Sequence, residues 1–283
     1  MVRIAERGSR LSTGPVITGA TRVYAIVGDP IAQVKSPEVF TRRFAAAGVD
    51  AVLVPAHVPK DRFDAIVPAL MELRNLDGLL VTVPFKVQAA ALADHLGVTA
   101  SCVGAVNALR RERDGSWTGD MFDGSGFVRG AANKGERLRG RRTLLYGAGG
   151  AGSAIACALA EAGVESIAVV DVDTAKADAL VARLHDAFPA CHWSIANGRP
   201  ADVDLVVNAT PIGMQPGDGL PGDIGALRSD TLVGDVVIID GRTALIEHAH
   251  AQGCRWVDGR DMHAGQVDAL IQFLAAPADQ VTA

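Results

Sequence analysis

The chain has 283 residues, enough for about two domains, and its 49% hydrophobic and 21% charged composition fits a globular protein with a full core. A formal net charge of −5 leaves no basic footprint for nucleic acid, and no run approaches the ~18 consecutive apolar residues of a membrane span. Cys102, Cys157, Cys191 and Cys254 make no CxxC pair, and His248 and His250, two apart, would point to different sides of a helix. Free thiols in a reducing cytosol and no metal are expected.

The first twenty residues carry Arg3, Arg7 and Arg10 without an apolar core, which argues against a signal peptide; Gly14, Pro15 and Gly19 suggest a loose extension. Arg22 to Val27 reads as a strand, followed by a turn at Gly28-Asp29-Pro30. Ser36-Pro37-Glu38 opens a helix, with the serine as N-cap and the proline at the first helical position, and the helix stops near Gly48. Ala51 to Pro55 predicts a strand and Asp61 to Leu73 a helix. Gly78 to Val83 predicts a strand and Lys86 to Leu96 a helix. Gly104 to Arg111 with Trp117-Thr118 suggests a short hairpin. Asp123-Gly124-Ser125-Gly126 opens a helix that runs into a basic, Gly-rich link, Lys134 to Arg142, and a domain boundary is expected just before this helix.

Thr143 to Tyr146 then runs as an apolar strand into Gly147-Ala148-Gly149-Gly150-Ala151-Gly152, with a helical pattern behind it. A second strand, Ser166 to Val170, ends on Asp171, nineteen residues after Gly152. This is the layout of a dinucleotide-binding turn. The first glycine permits the tight turn, the second admits the pyrophosphate and the third allows helix and strand to pack closely. The N–H groups at the helix start then hold the phosphates. Further strands are expected at Val203–Asn208, Leu232–Asp240 and Arg255–Val257, and a last helix from Met262 to Ala275. The alternation predicts an α/β protein with mainly parallel sheets. Its domains are 21–122 and 123–259, with 260–283 returning to the first.

Several positions could carry chemistry. Val81-Thr82-Val83-Pro84-Phe85-Lys86 sets a lysine just beyond the carboxyl end of a buried strand, where ligands of open α/β sheets bind and where a proton can pass to or from a substrate oxygen. On its own, a solvated lysine at a helix start is the commoner outcome. Asp123, at the domain boundary, could pair with Lys86 or simply cap its helix. Asn107 is an amide within a strand, bonded either to backbone or to a ligand. Asn208-Ala209-Thr210-Pro211-Ile212-Gly213-Met214 follows a strand at the same sheet edge as the glycine turn. It could border the nicotinamide or be an ordinary loop.

In this order the motifs resemble the shikimate dehydrogenase family over about Arg22 to Leu274. They are Gly28-Asp29-Pro30-Ile31 with Ser36-Pro37, Val81 to Lys86, Gly104 to Asn107, Gly119-Asp120 with Asp123-Gly124, Gly147 to Ala151, Asn208 to Met214, and Gly259 with Met262 and Gln266. The resemblance implies a substrate domain followed by a Rossmann-type domain. It also implies hydride exchange between NAD(P) and a ring alcohol or ketone, as in shikimate or quinate. Lys86 and Asp123 match the family's catalytic pair, and Ser36, Thr82, Asn107 and Gln266 its substrate contacts. Gly147, Gly149, Gly150, Ala151, Gly152, Asp171, Asn208, Thr210 and Met214 are the expected cofactor-binding residues. The protein is expected as a monomer or homodimer acting on a small cyclic molecule.

The departures from the family's pattern fall mainly on one wall. The first serine of the usual Ser-x-Ser-Pro is Val34, the tyrosine after the Asp-Val-Val strand is Ile238, and the asparagine before Val-Thr-Val-Pro is Leu80. Asn-Thr-Asp-Gly has become Met121-Phe122-Asp123-Gly124, and Phe40 stands where histidine is usual. Those serines and that tyrosine bind the substrate carboxylate in the family, so two of three hydroxyls are missing. Either the substrate has changed, or Arg242, His263 or Gln33 replaces the contacts. NADP-preferring members carry an arginine-containing loop where this chain has Val170-Asp171-Val172-Asp173-Thr174, so NAD is favoured, with NADP possible. A dinucleotide-binding regulator without chemistry is the alternative of another class, and retention of both Lys86 and Asp123 argues against it.

Overall fold

The computed structural model describes residues 16–196 and 202–275. Most of the loose extension expected over the first twenty residues, and the tail 276–283, lie outside the described residues.

Six short strands make the first sheet: β1 (Arg22–Gly28), β2 (Ala51–His57), β3 (Leu76–Val81), β4 (His95–Leu96), β5 (Ala108–Arg111) and β6 (Trp117–Asp120), in the order β2-β1-β3-β5-β6-β4. The β2-β1-β3 part is parallel, and β5 and β6 add an antiparallel hairpin. The Ala-Ile-Val run of β1 and the Leu-Leu-Val run of β3 are buried as central strands covered on both faces are. Helices α1 (Ser36–Ala46), α2 (Phe63–Met71), α3 (Lys86–Ala89) and α4 (Val98–Val103) connect them.

One expected helix does not run its length. The segment from Lys86 to Leu96 is helical only to Ala89, continues as a 3-10 turn to Leu92, and ends in β4. The N–H groups of Asp94 and Gly97 bond the carbonyls of Trp117 and Gly119, each at 2.8 Å, and the Asp94 carboxylate accepts the Trp117 N–H. Tertiary pairing with β6 thus outweighs local propensity. The short α4 that follows ends on Gly104, whose φ of +68° provides the left-handed cap.

The second sheet contains β7 (Arg142–Tyr146), β8 (Ser166–Val170), β9 (His192–Ile195), β10 (Leu205–Asn208), β11 (Leu232–Asp235) and β12 (Arg255–Val257). All its strands are parallel, in the order β12-β11-β10-β7-β8-β9. The order reverses between β7 and β10, which opens a crevice at their carboxyl ends. Helices α6 (Gly150–Glu161), α7 (Thr174–Ala187) and α8 (Ala244–Ala251) flank this sheet. The strand expected to reach Asp240 leaves the ladder after Asp235. The Val236 N–H still bonds the Asn208 carbonyl, but the Val237 N–H turns back to the Asp235 carboxylate at 3.1 Å.

Two helices join the halves. A Cβ on Gly124 of α5 (Asp123–Asn133) would run into the Ala154 carbonyl of α6, and one on Gly126 would sit 2.7 Å from the Met262 carbonyl of α9 (Gly259–Ala275). Glycine is required here because three helices approach backbone to backbone. Val267, Leu270 and Leu274 of α9 share a core with Tyr24, Ile26, Phe40 and Leu80 of the first half. Buried Arg110 holds the end of α9 by donating to the Phe273 carbonyl at 2.8 Å. Among the described residues no helix is long and apolar enough to cross a membrane.

Candidate active site

A cleft of about 930 Å³ lies where the two sheets face each other, lined from both halves. On the first side, the turn after β3 is anchored by Phe85, buried against Phe63 with ring centroids 4.6 Å apart. The turn delivers Lys86 to the cleft, and the Lys86 carbonyl accepts the Val106 N–H at 2.9 Å. Thr82 also lines the cleft, and its methyl group occupies the space that a side chain on Gly28 would need.

The Lys86 ammonium pairs with the carboxylate of Asp123, which is only 2% exposed. Asn107 donates to Asp123 Oδ1 and to Gln266 Oε1, both at 2.9 Å, and its Oδ1 accepts the Phe122 N–H at 3.0 Å. Side chains from α3, α5, α9 and the start of β5 therefore form one network. Both amide donors of Asn107 are engaged inside it, and Asn107, Asp123 and Gln266 all line the cleft. A carboxylate held by an amide beside a lysine can steady that lysine while it exchanges a proton with a ligand oxygen.

Two capping roles expected from the sequence are not made. Neither α1 nor α5 has a side-chain cap. Ser36 is the first residue of α1, not its cap, and its Oγ turns into the cleft, 3.1 Å from Nε2 of His263. Burial lowers the pKa of His263 below its usual value near 6.5, with the Asp123 charge opposing the shift. Val34, Leu80 and Ile238 all line the cleft, so the departures from the family's pattern do form part of its wall. Phe40 does not: it is fully buried, edge-on to Phe44. Of the three suggested replacements for the lost hydroxyls, Arg242 pairs with Glu247 and lies over Trp256, and the Gln33 amide donates to Pro30. Only His263 reaches Ser36.

On the second side, Gly147 adopts φ +99°, and a Cβ there would meet the Ala209 backbone at 3.0 Å. Gly149 faces open space. A Cβ on Gly150 would lie 2.9 Å from the Cβ of Lys86, and one on Gly152 would strike the Gly147 carbonyl. No side chain caps α6, whose start, Gly150-Ala151, lines the cleft. The turn thus offers room and free N–H donors, the requirements of a pyrophosphate. Gly152 serves close packing and is not on the wall.

At the end of β8, Asp171 lines the cleft. Its Oδ2 accepts the Ala148 N–H at 2.7 Å and its Oδ1 the Asp173 N–H at 2.9 Å. Thr210 and Met214 also line the wall. Asn208, expected as a cofactor contact, does not. It is 0% exposed, donates to the Ile212 carbonyl and Asp235 Oδ1, and accepts from the N–H and hydroxyl of Thr210. Its amide holds the loop from beneath and has no atom left for a ligand. Sequence reading missed Lys176 and Arg183, which line the cleft from α7. Their spacing, seven apart on one helix, puts them on one face and could have revealed them. Lys176 is paired with Asp173 at 3.6 Å.

The chain is similar to known proteins over most of its length. Residues 26–109 match the family model described as the shikimate dehydrogenase substrate binding domain, and residues 127–185 match the ThiF family. The chain is 36% identical over 255 residues to the shikimate dehydrogenase (NADP(+)) of Rubrobacter xylanophilus, covering 88% of each. Quinate dehydrogenase from Corynebacterium glutamicum, solved in complex with NAD, superposes with TM-score 0.79 at 30% identity over 90% of this chain and 94% of that one. The ligand-free 5-ketofructose reductase of Gluconobacter sp. strain CHM43 gives 0.75 at 27% identity over 90% and 93%.

Proposed function

The chain belongs to the shikimate dehydrogenase family and is an oxidoreductase of that type, and from that premise we propose that it interconverts a cyclic alcohol and its ketone with NAD(H), on a substrate other than shikimate. The carrying observation is that the glycine turn and the Lys86–Asp123 pair meet in one cleft, with Gly150 against the stem of Lys86.

The bound dinucleotide would supply the hydride acceptor, its pyrophosphate on Gly149 to Ala151 and its nicotinamide toward Thr210 and Met214. The chain's own part is proton handling. In the oxidative direction a neutral Lys86 amine takes the hydroxyl proton and becomes the ammonium that Asp123 neutralises. Asn107 and Gln266 keep Asp123 aimed at the lysine. In the reductive direction the same ammonium returns the proton to the ketone oxygen.

Val34, Leu80 and Ile238 support a changed substrate. A carboxylate set against them loses hydrogen bonds worth about 1–3 kcal/mol each, because a buried charged acceptor is left unpaired. The similar 5-ketofructose reductase is named for a keto sugar. Following NADH absorbance with shikimate, quinate and a panel of less polar cyclic alcohols tests the reading; efficient use of shikimate would overturn it. A second reading, a true shikimate or quinate dehydrogenase with a rearranged carboxylate site, draws on the polar pair of Ser36 and His263.

The choice of NAD rests on Asp171 and Asp173, which would repel a 2′-phosphate. Catalytic efficiency with NAD should exceed that with NADP at least tenfold, about 1.4 kcal/mol of discrimination, and Asp171→Ala should narrow the gap with the fold intact. Equal or better use of NADP would overturn the assignment.

A further inference from the structure

Ser36 and His263 lie 227 positions apart in sequence and meet at 3.1 Å in the substrate half of the cleft. Each is held by a helix: Ser36 begins α1, and His263 lies in the second turn of α9, between Met262 and Gln266. The cleft lining includes apolar Val34, Leu80, Met262 and Leu270, with the amides of Gln33 and Gln266 as polar neighbours. The charged groups that face the pair are Asp123 from α5, Lys86 from α3, already paired with Asp123, and exposed Lys35 at the rim. Arg43 of α1 is tied to Asp268 of α9 on the outer surface.

We propose that Ser36 and His263 form a subsite for an uncharged hydroxyl of the substrate, so that the enzyme selects neutral polyhydroxylated ring alcohols and ketones over carboxylated ones. The proposal rests on the changed-substrate reading above and names the class of substrate.

The reason is hydrogen-bond arithmetic. Where the imidazole proton is on Nδ1, the Ser36 hydroxyl donates to Nε2, and its oxygen lone pairs are left to accept. A substrate hydroxyl can fill that role; a carboxylate, which has no proton to give, meets lone pair against lone pair. Where the proton is on Nε2, Ser36 is a single neutral donor, too little to offset removal of a carboxylate from water. Burial disfavours protonation of His263, so the pair itself brings no charge for an anion; of the cations that face it, Lys86 is already paired with Asp123 and Lys35 is in water at the rim. Within the pair, the imidazolium is the form that would welcome a carboxylate, so carboxylate binding should be linked to proton uptake by His263 as pH falls.

The test measures kcat and KM for shikimate, quinate and a neutral cyclitol such as inositol, from pH 5.5 to 8, in the wild type, His263→Leu and His263→Gln. The wild type should prefer the cyclitol. His263→Leu should raise the cyclitol KM about tenfold to a hundredfold, as expected for one lost hydrogen bond in a buried site, with a smaller change in kcat. His263→Gln, which restores a polar group, should recover part of this. For the acids, KM in the wild type should fall as pH drops, and His263→Leu should abolish that dependence. NADH binding, read separately, shows that each variant is folded. A cyclitol preference that His263→Leu leaves untouched would overturn the subsite alone. A pH-independent preference for the acids would overturn both the subsite and the changed-substrate reading. Turnover of neither the cyclitol nor the two acids by the wild type would overturn the proposal that the substrate is a ring alcohol, and the subsite with it.

Discussion

Each half of the molecule buries an asparagine bonded to an aspartate beside the cleft. In the first, Asn107 donates to Asp123 at 2.9 Å; in the second, Asn208 donates to Asp235 at 3.0 Å. Both aspartates are almost wholly buried. They differ in their remaining partners. Asp123 has the Lys86 ammonium, which faces the cleft. Asp235 has the Thr243 hydroxyl at 2.6 Å and the Val237 N–H, and among the described residues no cation pairs with it. Desolvation therefore dominates at Asp235 and raises its pKa to about 6. The same buried pair can serve proton transfer where the topology brings a cation to it, and anchors a loop where it does not.

The sharpest test of this contrast is Lys86→Ala. Turnover should fall about 10²-fold or more, because the proton acceptor is lost, while NADH still binds to the untouched glycine turn. Near-normal turnover would remove Lys86 from the reaction and make the first pair as structural as the second.

Asp235 makes the complementary prediction. Its folded pKa of about 6 lies above its usual 3.8. Between those values the folded chain keeps a proton that the unfolded chain has released, so this group's contribution to stability is present below pH 4 and is lost as pH rises to about 6. Asp235→Asn keeps an oxygen for Asn208 and Val237 and offers an amide to Thr243. It should leave stability unchanged near pH 4 and raise it at pH 7 by up to about 3 kcal/mol, from two pKa units at ~1.4 kcal/mol each. Melting curves from pH 4 to 7 measure this; parallel profiles for the two proteins would show that the ionised carboxylate is not penalised.

The smallest expected effect concerns the apolar wall. Val34→Ser combined with Ile238→Tyr should improve kcat/KM for shikimate by the equivalent of about 1–3 kcal/mol, mainly through KM. No gain would mean that the hydroxyls are not what shikimate lacks here.

How far these sites could be read in advance varies with the distance over which each is built. The glycine turn and the Ser166–Val170 strand were legible because they are local: tight turns, close backbone approach and strand patterning act within a few residues. Lys86 and Asp123 could be marked by their motifs, although nothing in their spacing requires their contact. The motif singles out Asn208, but its amide turns beneath the loop and away from the cleft, since a motif shows that an amide is needed and not which way it points. The break of the helix after Ala89 came from pairing with β6, a partner more than twenty residues away.

By itself the sequence determined the α/β alternation, the dinucleotide turn and the identities of the groups able to move a proton, because backbone geometry and side-chain chemistry are local properties. Only the tertiary structure decided which of those groups meet. It took glycine-mediated contact of α5 with α6 and α9 to carry Gln266 and His263 across to Asn107 and Ser36. It took the topology of the packed chain to set one buried aspartate beside Lys86 and, among the described residues, to leave the other without a cation, where burial then raises its pKa.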